Sequence, residues 1–178
     1  GGTCSTPISA NCTIIVTYAP VANGNLSDTI LLDYNDGAAA QQATRGVTGT
    51  GAAPASLLIS DGATYDYTTK ATGSSTDKSF TITYSGGVAA TSLVGSGLAA
   101  PFTFKDGTYP GTGGTCGASI SANCTIIVTY SPAANGNLSD TILLDYNDGV
   151  TAQQATRGVT GTGATAASLL ISDGATYD

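Results

Sequence analysis

The sequence predicts an all-β fold made of short strands that pack as β-sandwiches. Three observations support this prediction. Thr, Val, Ile and Tyr, which favour a half-buried pleated surface, supply many of the larger side chains. Gly, Asn and Asp, the common turn residues, recur every ~8–12 residues, the spacing typical of a sandwich. No segment keeps a 3.6-residue apolar period, so no helix is predicted.

One passage of the sequence occurs twice, at an offset of 112 residues. Residues 1–66 match residues 113–178 and differ at only nine positions: 5, 6, 7, 19, 21, 38, 39, 53 and 54. Such close self-similarity indicates a tandem array whose unit is long enough for one domain. The predicted division is residues 1–51 as the last three strands of one repeat, residues 52–163 as a complete repeat and residues 164–178 as the opening strand of the next.

The first half of the complete repeat contains five predicted strands. An apolar run opens it and ends at the turn Asp61-Gly62. The clearest strand alternates, with Phe80, Ile82 and Tyr84 on one face and hydroxyl-bearing residues on the other. This period of two is typical of a strand with one buried face. The predicted strands are 57–60, 64–67, 78–84, 89–94 and 101–105.

The second half contains three more predicted strands, at 125–130, 138–146 and 153–160. A loop rich in glycine over residues 106–117 leads into the first of them, and Pro132 ends it. Asn147, Asp148 and Gly149 are a strong hairpin signal between the last two strands. The side chains predicted to face inward are Ile126, Val128, Tyr130, Ile142, Leu144 and Tyr146.

The composition argues against several functional classes. The chain carries a net charge of −7 with five scattered cations, so it has no basic patch for nucleic acid or an anionic membrane. No run approaches the ~18 apolar residues that a membrane span needs, so no membrane insertion is expected. Without His or Glu, neither a Ser-His-Asp triad nor a Glu-based acid–base pair can form. An Asp pair is conceivable, but the twelve Asp lie mostly in turns and are better explained as turn formers. We therefore expect neither enzyme activity nor a cofactor.

The four cysteines form one pair per repeat, Cys4 with Cys12 and Cys116 with Cys124. The short spacing, together with the absence of His and of a CxxC motif, favours a local disulfide over a zinc site. A loop of this length gives roughly 2–3 kcal/mol of stabilisation in the chain-entropy account. Because disulfides persist in oxidising compartments, we expect an extracellular or cell-surface location.

Four motifs of the complete repeat stand in a recognisable order. They are residues 73–83 (GSSTDKSFTIT), residues 124–132 (CTIIVTYSP), Gly136 and residues 161–163 (GTG). In this order and spacing they resemble the choice-of-anchor D family. The sequence departs from the family pattern at residues 84–86, where the family has Asn-x-Gly, and at Arg157, where an apolar residue is usual.

The resemblance implies tandem immunoglobulin-like domains on secreted or surface-anchored bacterial proteins, with a structural or adhesive role and no catalytic residues. Together with the strand count and the cysteine pairs, it predicts the fold class. We expect tandem immunoglobulin-like β-sandwich domains of seven or eight strands each, with one intradomain disulfide per unit.

Two turns carry paired carboxylates that suggest calcium, Asp33 with Asp36 and Asp145 with Asp148. Both turns lack the spacing and the final acidic ligand of an EF-hand loop. A hairpin turn explains them more simply, and they stay weak candidates for calcium binding between units.

Arg157 has two interpretations. It shares strand parity with Val159, which would aim it inward toward a carboxylate such as Asp140 or Asp145. Alternatively, the twist of the sheet leaves it solvated at the rim.

Two further groups of residues have a functional and a simpler interpretation. Lys78 and Lys105 suggest an isopeptide crosslink, but no partner is specified, and solvated lysines are expected. Triplets of the N-glycosylation type arise by chance in a chain this rich in Ser and Thr. They begin at Asn11, Asn25, Asn123 and Asn137.

The predicted function is structural: an extracellular filament, fibre or surface stalk built from near-identical repeats, whose partners are neighbouring repeats or copies of the same protein. One alternative is an adhesin whose repeats bind a surface, carbohydrate or protein ligand. The mostly small-for-small differences between the two copies favour the structural role. A second alternative is that one chain completes the half-domain of another by strand complementation, as in a pilus-like polymer.

Overall fold

The computed structural model describes residues 1–171 and separates the chain into two compact units, Gly1–Ala53 and Pro54–Asp178. Two strands lie in the first unit and eight in the described part of the second, with a short 3-10 turn at Lys105–Gly107. The strands are β1 (Gly24–Asn35), β2 (Ala40–Gly51), β3 (Ser56–Ile59), β4 (Thr64–Ala71), β5 (Thr76–Ser85), β6 (Thr91–Ser96), β7 (Phe102–Phe104), β8 (Cys124–Tyr130), β9 (Gly136–Asn147) and β10 (Ala152–Ala164).

The second unit is an immunoglobulin-like β-sandwich, and the predicted all-β fold class is confirmed. One sheet has the strand order β4-β10-β9-β6 and the other the order β3-β5-β8-β7. Neighbouring strands run antiparallel, except that β10 pairs with β4 in parallel. The chain changes sheet after each of β3, β4, β5, β6 and β8, and stays in one sheet only from β7 to β8 and from β9 to β10. Each of the eight predicted strands of this repeat has its counterpart.

The core of the sandwich comes from the strand faces that the alternation predicts. Along β8 every second residue is buried, and Ile126, Val128 and Tyr130 are fully enclosed. On β9, in the other sheet, Ile142 and Leu144 are also fully buried. Burying one such side chain stabilises the fold by roughly 1.5–3 kcal/mol relative to leaving it in water. These strands therefore hold the two sheets together.

The first unit contains one β-hairpin and no third strand. Strands β1 and β2 pair antiparallel from Gly24↔Gly51 to Asn35↔Ala40. Residues 12–18, which repeat the sequence of β8, have no strand structure here. The prediction of three strands in residues 1–51 is wrong at this point. The reason is that β8 pairs only with β5 and β7, and the first unit has no counterpart of either strand.

Candidate functional site

The first unit exposes apolar side chains whose repeat counterparts form the core of the second. Tyr18 is 50% exposed whereas Tyr130 is fully buried, and Leu32 is 45% exposed whereas Leu144 is fully buried. Because the local sequence is the same in both copies, the difference comes from what packs on top. We call this surface the open face of the first unit. It comprises Ile14, Val16, Tyr18, Leu26, Leu32 and Tyr34.

The open face already has the local arrangement found in the second unit. A Cβ placed on Gly49 would come within 2.6 Å of the Tyr18 ring, and one on Gly161 within 2.6 Å of the Tyr130 ring. Such an approach is possible only because both positions are glycine. Segment 12–20 therefore lies against the β1–β2 hairpin as β8 lies against the β9–β10 hairpin. The first unit has the geometry of half a sandwich.

A groove runs between segment 12–20 and the hairpin, with apolar walls that include Val16, Tyr18, Leu26 and Val47. In the second unit two aromatic side chains contact the counterparts of these walls. Phe102 stacks on Tyr130 with ring centroids 4.7 Å apart. Tyr67 lies 5.4 Å from the same ring, and its hydroxyl donates a hydrogen bond of 2.8 Å to the Val128 carbonyl.

Sequence reasoning assigned no role to Tyr67 and Phe102. Phe102 lay within the predicted strand 101–105, and Tyr67 at the end of the predicted strand 64–67. The available signal was their size, because the chain has no Trp and only three Phe, so Tyr and Phe are its largest apolar side chains. Large aromatic side chains at such positions are candidates for core anchors.

Both cysteine pairs form disulfides at the predicted positions. The Cα atoms lie 4.8 Å apart in Cys4–Cys12 and 5.0 Å apart in Cys116–Cys124. The loops are also held alike, because a threonine hydroxyl accepts a hydrogen bond of 2.9 Å from the N–H of Thr13 in one and of Thr125 in the other. In the second unit Cys116 and Cys124 are buried at the end of the core.

Two of the four aspartates considered for calcium hold turns. The Asp36 carboxylate accepts from the N–H groups of Ala38 and Ala39, and Asp148 accepts from those of Val150 and Thr151. These hydrogen bonds hold the pKa of both carboxyls below the usual value.

The other two aspartates, Asp33 and Asp145, each accept a 2.7 Å hydrogen bond from a glutamine across the hairpin. Within residues 1–171 no three His, Cys, Asp or Glu residues group as metal ligands would.

Arg157 is buried, as its strand parity with Val159 predicted, but its partner is not a carboxylate. It is buried on β10 rather than solvated at the rim, and its guanidinium donates to the backbone carbonyl of Ile59. Neither proposed carboxylate forms an ion pair with it. Asp140 instead accepts from the N–H of Ala99 and Asp145 from Gln154.

The two lysines considered for a crosslink form ion pairs on the surface. Lys78 lies 3.2 Å from Asp61, and Lys105 lies 2.8 Å from Asp77. Half-exposed pairs of this kind contribute little to stability. Each carboxyl pKa is lowered, that of Asp61 chiefly by the Ser60 hydroxyl and that of Asp77 chiefly by Lys105.

The asparagines of three triplets have their side-chain oxygens engaged. Asn123 accepts a hydrogen bond of 2.9 Å from the N–H of Tyr84, which ties the disulfide loop to β5. Asn25 and Asn137 each accept from a threonine hydroxyl on the partner strand of their hairpin. These contacts give the side chains a structural role.

No helix among residues 1–171 is both long and apolar enough to cross a membrane. No family model matches the chain, and no curated protein matches it. The resemblance to the choice-of-anchor D family thus stays a prediction.

The solved structures that are similar to the chain include the following two. The ASH/PapD-like domain 7 of human CEP192 shares 12% identity at a TM-score of 0.46, over 65% of this chain and 89% of that one. A protein of unknown function from Porphyromonas gingivalis W83 shares 11% identity at a TM-score of 0.46, over 83% of this chain and 70% of that one.

Proposed function

We propose that the chain is a structural segment of an extracellular filament or surface stalk built from near-identical immunoglobulin-like repeats. The observation that carries the proposal is that one repeated sequence is found in two different environments. Residues 1–51 expose the apolar side chains that the same sequence buries in the second unit. A sequence that is repeated so closely, and that forms a core only beside a further set of strands, is best suited to an array.

The junction between repeats supports the same role. Strand β2 ends at Gly51 and β3 begins at Ser56, so few residues separate the strands of consecutive repeats. The junction is also tied down where the second unit begins, because the N–H of Ala55 donates a 2.9 Å hydrogen bond to the Asp148 carbonyl. Short, anchored connections suit a stalk better than they suit independently moving modules.

The disulfides and the placement of the charged side chains support the proposal that the chain is part of an exported protein. One disulfide closes a short loop in each unit, which stabilises a domain in an oxidising environment. The charged side chains that the structure pairs lie on the surface in isolated ion pairs. Under this proposal the partners are neighbouring repeats of the same kind.

Mass spectrometry of the native protein tests whether the array continues. Trypsin cuts after Arg157 and then has no site up to Asp178, so the peptide that begins at Gly158 includes the residues on both sides of Asp178 if the chain extends past it. In an array this peptide continues with the sequence of residues 67–70 and ends at a lysine. Its junction residues, Ala164, Thr165 and Ala166, distinguish it from the earlier copy, which has Pro54.

Electron microscopy of the intact protein tests the assembly itself. We expect a fibre with an axial repeat of one domain. Isolated globules, together with a tryptic peptide that terminates at Asp178, would overturn the proposal.

A further inference from the structure

We propose that the open face of the first unit is the docking surface for a further copy of strands β3–β7, supplied by the same polypeptide ahead of Gly1. The inference rests on the proposed function and names the partner of this surface and the side chains that anchor it. The second unit serves as the template, because its residues 113–163 repeat residues 1–51 with seven differences, at positions 5, 6, 7, 19, 21, 38 and 39.

Backbone pairing defines what the open face lacks. In the second unit, β8 is paired along one edge by β5, from Thr76↔Tyr130 to Ile82↔Cys124. Strand β7 pairs along its other edge. The outer edges of β9 and β10 are paired by β6 and β4. The corresponding edges of segment 12–18 and of the β1–β2 hairpin have no such partner within the first unit, and unpaired edges accept added strands.

Two aromatic side chains of the added copy would anchor it. In the second unit Tyr67 and Phe102 come from β4 and β7, which belong to opposite sheets, and their rings lie 5.8 Å apart. Both contact the Tyr130 ring. Their counterparts would therefore enter the groove beside Tyr18 from two sides and close the sandwich. Large aromatics that fill a preformed apolar groove dominate the energy of such contacts.

Residues 168–171 do not by themselves suffice as the occupant. Residues 168–171 repeat the sequence of β3 alone. In the second unit β3 pairs with β5 and leaves both edges of β8 to other strands. A copy of β3 without β5 would therefore leave segment 12–18 unpaired. This disfavours the polymer in which one chain completes the next with this segment.

A second chain is also a poor source. Its strands β3–β7 are already packed against its own β8–β10, so donating them would expose its own core. The same polypeptide is favoured because residues 3–13 keep the local structure and the repeat position of residues 115–125. The N–H of Thr3 donates a 2.7 Å hydrogen bond to the Thr13 carbonyl, as the N–H of Thr115 does to Thr125 at 2.8 Å. Gly1 thus has the repeat position of Gly113, which in the second unit follows the end of β7 by nine residues.

The test is to extend the chain and measure amide hydrogen exchange. A second copy of residues 54–112 is placed ahead of Gly1, and the exchange of residues 13–18 is compared with that in the 178-residue chain. We expect slowing by at least about 100-fold, to rates near those of the identical residues 125–130. The second unit, unchanged in both proteins, is the internal reference.

Two matched variants of the appended copy alone test the anchors. Tyr67→Ala with Phe102→Ala in that copy is expected to return residues 13–18 to the fast exchange of the 178-residue chain. Tyr67→Phe in that copy keeps the ring and is expected to retain most of the protection. Because the changes lie outside the second unit, a general loss of folding would be visible there.

Three outcomes would overturn the inference. One is unchanged exchange of residues 13–18 in the extended chain. Another is protection that survives the double alanine variant. The third is protection of the 178-residue chain that rises with concentration, which would assign the open face to a second copy of the first unit. If the exchange of residues 13–18 is slowed in the extended chain but electron microscopy of the intact protein shows no fibres, the proposed function is refuted and this inference is not.

Discussion

At the scale of single residues, two buried tyrosines of the second unit differ in one hydrogen bond. The Tyr67 hydroxyl donates to the Val128 carbonyl, whereas the Tyr130 hydroxyl has no partner among the described residues. Burial raises the pKa of both phenols, so both stay neutral in ordinary solution. Their rings fill the same part of the core, which makes the pair a controlled comparison of the two hydroxyls.

We expect Tyr67→Phe to lower the free energy of unfolding of the second unit by about 1 kcal/mol, because a buried carbonyl loses a donor. Tyr130→Phe is expected to leave it unchanged or slightly raised, because the hydroxyl removed is buried without a partner. Urea unfolding monitored by circular dichroism measures both values. Equal losses in the two variants would contradict this account.

Arg157 shows how far sequence predicts a single residue. Its strand parity with Val159 correctly indicated an inward side chain. The partner was wrong, because candidates were sought among carboxylates on the preceding strand. The actual acceptor, the Ile59 carbonyl, is a backbone atom at the end of β3 in the opposite sheet. Which backbone atom faces a side chain across a sandwich depends on packing, which no local pattern specifies.

At the scale of elements, alternation and turn residues predicted the eight strands of the complete repeat. The alternation of apolar and polar residues is a local pattern, so it can be recognised from the sequence alone. The parallel pairing of β4 with β10 was not predicted, and β4 extends to Ala71 rather than to residue 67. Likewise, residues 12–18 have the sequence of a strand but lack its structure. A strand forms only when a neighbouring strand pairs with it, and the sequence of the strand itself does not show whether such a partner is present.

The loop closed by Cys116–Cys124 is the element that fastens the start of β8. Its backbone also bonds to the opposite side of the domain, because Leu93 donates to the Ala118 carbonyl and Ala90 forms a bridge with Ile120. The loop therefore joins strand β6 to the entrance of β8.

Replacing both Cys116 and Cys124 by alanine is expected to lower the free energy of unfolding of the second unit by about 2–3 kcal/mol, chiefly because the unfolded chain gains freedom. The matched control replaces Cys4 and Cys12, which belong to the first unit, and should leave the second unit unchanged. Urea titration of both variants gives the comparison. An equal effect of the two replacements would refute the assignment of this stabilisation to the local loop.

At the scale of the whole molecule, we expect the free energy of unfolding to change with pH in the acidic range and to stay nearly constant near neutral pH. Hydrogen bonds hold the pKa of Asp148 below its usual value, chiefly those from Thr151 and Val150. The pKa values of Asp61 and Asp77 are lowered as well. A carboxyl whose folded pKa lies below its unfolded value of about 3.9 stabilises the fold above that pH. This stabilisation is lost as the pH falls through the folded value.

We therefore expect the free energy of unfolding of the second unit to be nearly constant from about pH 7 to 5 and to fall below about pH 4. Asp148→Asn should make the fall shallower, whereas Asp36→Asn in the first unit should not. Urea midpoints measured across this range test both statements. A stability that rises as the solution is acidified below about pH 4 would contradict them.

Strand β10 has a mechanical consequence. It is an interior strand, held by β9 from Ala152 to Gly163 and by β4 from Gly158 to Ala164. It is also the strand through which the chain leaves the sandwich. Tension along β10 acts nearly perpendicular to its ladder hydrogen bonds, so they are sheared together rather than opened in succession. In a repeat that transmits tension through such a strand, the force needed for unfolding increases with the number of hydrogen bonds that must break at the same time.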